Sequence, residues 1–483
     1  MLFGMRNLGL FKYLRWREGS RGNQYIMGVL VNFPTVCFGM LMGWVSPVTP
    51  QLQSAQGPLP RPMTDGELGW MASVAFCTAV PMMLVSGVVA DRIGRKATLM
   101  MAPLSIALCW LLTIIWTNSA VIILARTITG VAAAVCYAIS PVYVKEVSDD
   151  DIRGALGSLL ILAQNLGFVI MYVLCTVLDF YSVAYVSLAM AAAHAVVFLN
   201  APDTPSYLIK CQRNEEAAEV LAWLRSVEVS DKRVTEEISK LQADDRDQAN
   251  EKPAWRDLFS DRTTRKALYI SAVILILQEF CGYLILLTYA STVFGKANVG
   301  SALTANEQTI VLGCVLFIGS VCACFLIEKV GRKPLLAATS TLSGLGMLVL
   351  GSWFYVTSRG HGAPGWVPIT AMGLSLFCAA AGFQPTPFVI MPEMFTFKLR
   401  GTVSSLTIAL TGISDFVQTE AFSYVNAAIG LHGAFWIFAA VGFVCAVFTI
   451  VCVPETRNKS VEEIYAEMRG EKKTEDIDCS TVL

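Results

Sequence analysis

The chain has 483 residues, 55% of them hydrophobic and 15% charged, where a soluble domain carries about 25% charged residues. A formal net charge of -1 leaves no basic surface for nucleic acid, and a mean hydropathy of +0.57 makes lipid the main solvent. The charges are also segregated: long apolar stretches alternate with short charged segments, each stretch near the roughly 20 residues a membrane-crossing helix needs.

Residues 1–24 form a polar tail containing Arg6, Lys12, Arg15, Arg17 and Arg21. The apolar run after it is too long for a removable signal peptide and lacks a small-residue cleavage site, so it is read as the first span. Met1-Leu2 lacks the glycine that myristoylation requires. Hydropathy predicts an all-α membrane protein of twelve transmembrane helices in two six-helix halves. The N-terminal half, 25–200, has spans at 25–46, 69–90, 97–116, 119–143, 154–176 and 181–200. A linker of short amphipathic helices covers 201–266. The C-terminal half, 267–453, has spans at 267–290, 308–327, 335–357, 366–392, 402–424 and 432–453, and a polar tail, 454–483, follows.

Every lysine and arginine except Arg61, Arg126, Lys296 and Arg359 falls on the side of the N-terminus, which predicts that both termini are cytoplasmic. Trp44, Trp70, Trp116, Trp353 and Trp366 fall at the opposite ends of spans, where amphipathic rings favour the interface. The fourteen cysteines are scattered, apart from Cys322 and Cys324, without metal-ligand spacing, and read as packing residues. His194 reads as a packing histidine too. No metal or cofactor site, nucleotide loop or nucleophile-base set stands out, so an enzyme is not expected.

The halves repeat each other. Asp91-Arg92-Ile93-Gly94-Arg95-Lys96 recurs as Glu328-Lys329-Val330-Gly331-Arg332-Lys333; Glu146 with Arg153-Gly154 recurs as Glu393 with Arg400-Gly401; Pro202-Asp203-Thr204 recurs as Pro454-Glu455-Thr456. Three ordered matches at a nearly constant offset describe a six-helix unit duplicated in parallel, which places a site between the halves. Gly94 and Gly331 permit tight turns. Asp91, Arg92, Arg95, Glu146, Arg153, Glu328, Arg332, Glu393 and Arg400 share one membrane face near helix ends and are expected to pair across the halves as a cytoplasmic gate. Topology alone explains the basic residues but not acids at matched positions.

Proline and glycine predict bends at Pro34, Gly39, Gly43 and Pro47 in the first span, Pro141 in the fourth, Gly282 in the seventh, and Pro385, Pro387 and Pro392 in the tenth. Polar residues inside spans mark the solute route by default. They are Gln164 and Asn165 in the fifth, Gln278 and Glu279 in the seventh, and a stripe in the eleventh of Ser404, Thr407, Thr411, Ser414, Asp415 and Gln418 at helical spacing. Glu279, halfway along its span, is placed to bind a proton or hydrogen-bond solute.

In these motifs the chain resembles the sugar porter family of the major facilitator superfamily over essentially its whole length. Gly87 to Lys96, Glu328 to Lys333, Pro141 to Glu146, Arg153-Gly154, Pro202 to Leu208, Pro385-Thr386-Pro387, Glu393 and Pro454 to Ile464 stand in family order, and Gly43-Trp44-Val45-Ser46-Pro47 with Trp70 looks most like the insect trehalose and hexose branch. The resemblance implies alternating access between the halves. It also implies sugar contacts at Gln278, Glu279, Gln164, Asn165, Thr411, Asp415 and Phe388, and a gate role for Arg126. Glu279 replaces the second of a family Gln-Gln pair. Further departures are Ile161 for a sugar-binding glutamine, Leu284 and Leu316 for asparagines, Ala380 for a glutamate, Phe388 for a tryptophan and Thr411-Gly412 for Asn-Trp. Leu41 stands where proton symporters of the family carry an aspartate, so uniport is implied.

The function expected is facilitative transport of a small sugar, trehalose or hexose, with a plasma-membrane address. The alternatives are a carrier of another small polar solute and a transport-dead sensor on the same scaffold. Ser480-Thr481-Val482-Leu483 matches a C-terminal ligand of PDZ-type domains.

Overall fold

The computed structural model describes residues 17–250, 257–297 and 303–469, which are almost entirely helical. Their helices contain eleven stretches long and apolar enough to cross a membrane. Ten are single crossings: Gly22–Leu52, Asp65–Ile93, Arg95–Ile115, Ser119–Val147, Asp151–Val177, Phe180–Phe198, Arg262–Ala297, Ala305–Val330, Arg332–Ser358 and Val367–Glu393. The last, Leu399–Cys452, has 54 residues, or about 80 Å of helix at 1.5 Å per residue, more than twice the bilayer core. It turns back at Gly430, whose φ of 73° is not helical, so it supplies the eleventh and twelfth spans. The helices run past the hydropathy limits because capped polar turns extend them: Thr64 and Glu67 close a capping box at the second span, and Thr304 and Glu307 close another at the eighth.

Breaks appear beside Gly43, Pro141, Gly282 and Pro385, as expected, but not at Pro34. The first span breaks at Trp44, between Gly22–Gly43 and Val45–Leu52. The fourth breaks at Ile139, one residue before Ser140-Pro141. The seventh breaks between Glu279 and Tyr283, with Gly282 at φ 85°, and the tenth passes through a π-turn, Ala379–Phe383, before Pro385. Pro34 sits inside an unbroken helix and deprives Leu30 O of its helical donor. His194 Nε2 lies 2.9 Å from that oxygen, its ring stacked between Phe33 and Phe198. The packing histidine therefore repairs a proline.

Two tryptophans depart from the interfacial reading. Trp70, Trp116 and Trp366 are exposed, but Trp44 packs on Trp110 and Phe180, and buried Trp353 donates its Nε1 hydrogen to Pro364 O at 2.9 Å. A span end inside the bundle meets protein before it meets headgroups.

Between the halves, the linker folds into Pro205–Lys210, Asn214–Leu224, Lys232–Asn250 and Asp257–Ser260. Val220, Leu221 and Val234 are buried in it while Glu215 is exposed, so these helices are amphipathic as expected. Asn23 Nδ2 donates to Trp223 O at 2.7 Å, and Arg225 pairs with Asp149 at 3.1 Å and with Glu237 at 2.6 Å, which docks the linker on the first and fifth spans. The N-terminal basic residues before Arg17 and the motif Ser480–Leu483 lie outside the described residues.

Candidate solute cavity between the halves

The duplicated turns share one construction. Gly94 and Gly331 adopt φ 98° and 99°, a region that penalises any side chain. Each turn starts a helix whose first N–H groups need acceptors. Asp203 Oδ1 accepts from Lys96 N at 3.2 Å; Glu455 accepts from Arg332 N and Lys333 N, both at 3.1 Å. The repeated Pro-acid-Thr motif is thus a cap supplied from the end of each half. Arg95 pairs with Asp91 at 2.8 Å and Glu146 at 3.3 Å, and Arg332 with Glu328 at 3.1 Å and Glu393 at 2.9 Å. Arg153 and Arg400 reach the carbonyls of Ser148 and Phe395, each five residues upstream. Arg92 is exposed. Among the described residues, the pairs of Arg95 and Arg332 run within each half rather than across.

Between the halves lies a cavity of about 1120 Å³. On the side of these charged turns it reaches Asp91, Arg95, Gly154 and Arg400, so it opens on the face that carries the linker. On the opposite face the halves touch: Ser46 Oγ accepts from Ser291 N at 2.9 Å, and Ser73 Oγ donates to Glu420 Oε2 at 3.0 Å. Tyr172 OH donates to Leu287 O at 3.2 Å, also across the halves.

Gln164, Glu279, Phe388, Thr411 and Asp415 all line the cavity. Gln278 and Asn165 do not. Gln278 is buried and donates to Glu279 Oε1 at 3.2 Å, and Asn165 donates to Ser320 Oγ at 2.5 Å across the halves. Both sit behind the wall as supports, because adjacent residues on a helix point about 100° apart. The eleventh-span stripe is likewise divided: Ser404, Thr411 and Asp415 face the cavity, whereas Thr407, Ser414 and Gln418 are buried outside its lining. The carboxyls of Glu279 and Asp415 come within hydrogen-bonding reach of each other.

Three lining residues carry no spacing signal of their own. Tyr137 donates to Gln164 Oε1, while Tyr283 and Gln384 approach one another from the seventh and tenth spans. Each stands beside a helix break, at Pro141, Gly282 and Pro385, and that adjacency was the available signal. The apolar departures Ile161, Leu284, Ala380, Phe388 and Gly412 line the cavity too; Leu316 is buried outside it. Arg126 is buried, donating from Nε to Met71 O at 2.6 Å and from Nη1 to Leu41 O at 3.0 Å. It ties the fourth span to the second and to the first just before its break.

Residues 27–468 match the family model described as sugar (and other) transporter. The facilitated trehalose transporter Tret1 of Culex quinquefasciatus is 30% identical over 410 residues, 84% of this chain and 78% of that protein. The Tret1-2 homolog of Drosophila simulans is 29% identical over 461 residues, 94% of this chain and 93% of the relative. Among solved structures, the inward-open xylose transporter XylE from E. coli superposes with a TM-score of 0.75 at 20% identity, covering 92% of this chain and 99% of that one, which gives the major facilitator fold. With a family match running from the first span to the last helix, this chain belongs to the sugar transporter family, and is a membrane carrier rather than an enzyme.

Proposed function

We propose that the chain carries a small sugar, trehalose or a hexose, down its gradient by alternating access. The observation that carries this is the cavity shared by both halves, shut on one face and open on the other, with Tyr137, Gln164, Glu279, Tyr283, Gln384 and Asp415 offering hydrogen-bonding groups among aromatic walls. Sugars need such a mixture, since their hydroxyls seek partners while their ring faces stack on apolar surface. The open face carries the basic segments, so we assign it to the cytoplasm and the conformation to an inward-facing one. A plasma-membrane address, and a PDZ-type partner for Ser480–Leu483, belong to the same proposal. Deleting the last three residues and following surface localisation tests that partner.

Leu41 and Arg126 support uniport: the buried guanidinium is held by the Leu41 backbone carbonyl, and no acid stands at that place to take up a coupling proton. The charged turns work as a gate in the other half of the cycle, when rocking brings Arg153 and Arg400 toward the acids of the opposite half. Uptake of labelled trehalose, glucose and a panel of polyols by the full chain in proteoliposomes tests the assignment. Saturable uptake of a sugar, absent from empty vesicles, supports it; transport of polyols alone would move it to the broader solute class favoured by the apolar residues at Ile161, Leu284 and Ala380.

A further inference from the structure

Two acids meet deep in the cavity with no basic partner among the described residues. Glu279 closes the first segment of the seventh span and is 8% exposed; Asp415 faces it from the eleventh. Asp415 Oδ1 is buried and accepts no hydrogen bond from a protein donor, and Glu279 Oε1 accepts one, from Gln278 Nε2. Arg95 and Arg400 also line the cavity, but at its mouth, where Arg95 is engaged by Asp91 and Glu146 and Arg400 by Phe395 O. Among the described residues, no lysine or histidine lines it. Arg126 is committed to two backbone carbonyls outside the cavity. Tyr137 and Tyr283 stand near both acids, and Phe388, Gln164, Gln384 and Thr411 line the same cavity.

We infer that the Glu279 and Asp415 pair is a subsite for a protonated amine, so that the preferred solute is a sugar or polyol bearing a cationic nitrogen. A hydroxyl supplies one donor and no charge, so the pair must then keep a shared proton to avoid uncompensated charge in a site of low polarity. An ammonium supplies three donors and one positive charge from a single atom. It can bridge Glu279 and Asp415 at once while the solute hydroxyls turn to Gln164 and Gln384, and the rings of Tyr137, Tyr283 and Phe388 present faces that attract a cation. The inference rests on the cavity being the solute site and narrows the class of solute it takes.

The test uses the full chain in proteoliposomes with labelled D-glucosamine, D-glucose and N-acetyl-D-glucosamine, which share a ring and differ in the charge of one substituent. Uptake of D-glucosamine is expected to exceed that of either neutral sugar by about tenfold, the discrimination of one charge-assisted hydrogen bond. In Glu279→Gln and Asp415→Asn the ratio of D-glucosamine to D-glucose uptake should fall to near one, a ratio that poor folding does not change. Thermal stabilisation of the purified protein by D-glucosamine beyond that by D-glucose reads binding without turnover. Equal handling of the amine and its acetylated form, or no stabilisation by D-glucosamine, overturns the subsite. Glucose or trehalose uptake persisting in that case would leave the sugar carrier standing, whereas amine binding without uptake of any neutral sugar would keep the subsite and remove the sugar reading.

Discussion

The two halves are copies on the membrane face that carries the linker and diverge inside the membrane. On that face the same turn, arginine, glutamate and capping acid recur with near-equal geometry: φ of 98° and 99° at Gly94 and Gly331, and matched pairs at Arg95 and Arg332. Inside, the N-terminal half commits its buried charge, Arg126, to its own backbone and breaks its first span gently at Trp44, whose φ of -62° any residue accepts. The C-terminal half turns Glu279 and Asp415 into the cavity and breaks the seventh span at Gly282 and the tenth in a π-turn. The difference separates two jobs. Under the proposed cycle, the charged turns that both halves need in order to rock about one site stay symmetric, while the acids proposed to meet the solute sit in one half.

The largest effect that would sharpen this contrast is expected at Gly282. A Cβ there would come within 2.5 Å of the Phe438 ring, at a φ of 85° that side chains rarely adopt. Gly282→Ala should cost about 2–4 kcal/mol, combining overpacking with left-handed backbone strain, and abolish uptake. Trp44→Phe at the other break should retain most of it. Equal loss at both sites, measured as uptake per unit of surface protein, would break the asymmetry.

Next in size are the matched arginines. Arg332 has a side chain 7% exposed between two glutamates, and Arg95 one 13% exposed between Asp91 and Glu146. Removing either cation leaves an acid in a semi-buried place without its partner, so Arg332→Ala and Arg95→Ala should each destabilise by about 3 kcal/mol. Thermal midpoints of the two purified variants should fall together; a fall in one alone would show that the copies no longer share a role.

A smaller and conformational effect concerns the gate. With Arg400→Ala or Glu146→Ala, the outward-facing state loses pairs that the inward-facing state does not make across the halves, so the population shifts inward. Maleimide labelling of Cys324, which lines the cavity, and of cysteines introduced near the same mouth should quicken by about fivefold, the response to roughly 1 kcal/mol of bias. Unchanged labelling at every site would remove these residues from the gate.

Much of this was legible in the sequence. Span number, duplication and helix breaks were readable because lipid enforces apolar length, and because Gly94, Gly331, Gly282 and Pro385 act through local backbone geometry. Most of the polar wall was readable from intramembrane cost, as Gln164, Glu279, Thr411 and Asp415 show. Helical spacing fails for Gln278 and Asn165, since it cannot say which of two adjacent polar residues faces the cavity. It also fails for Tyr137, Tyr283 and Gln384, whose convergence is a property of three helices from two halves. His194 shows the same limit: its partner Leu30 O is 164 residues away and matters only because Pro34 freed it.

The smallest effect sits at the caps of the symmetric region. Asp203 and Glu455 both hold the first N–H groups after a duplicated turn, and Asp203→Ala or Glu455→Ala should each cost about 1 kcal/mol as a lost helix cap. For Asp203, burial pushes the carboxyl above its ordinary value, and the Lys96 N–H and the nearby Lys96 and Arg213 cations offset this in part. The folded state therefore binds the Asp203 proton more readily than the unfolded chain, so this residue's contribution to stability falls as pH rises from the unfolded value near 4 through the raised folded value. Acidification across that window should raise the thermal midpoint slightly in the parent. Asp203→Asn, which keeps an acceptor for Lys96 N but cannot ionise, should lose that gain while holding the cap. A midpoint that falls with acid by the same amount in parent and variant would mean that Asp203 is ionised at no cost in the folded chain.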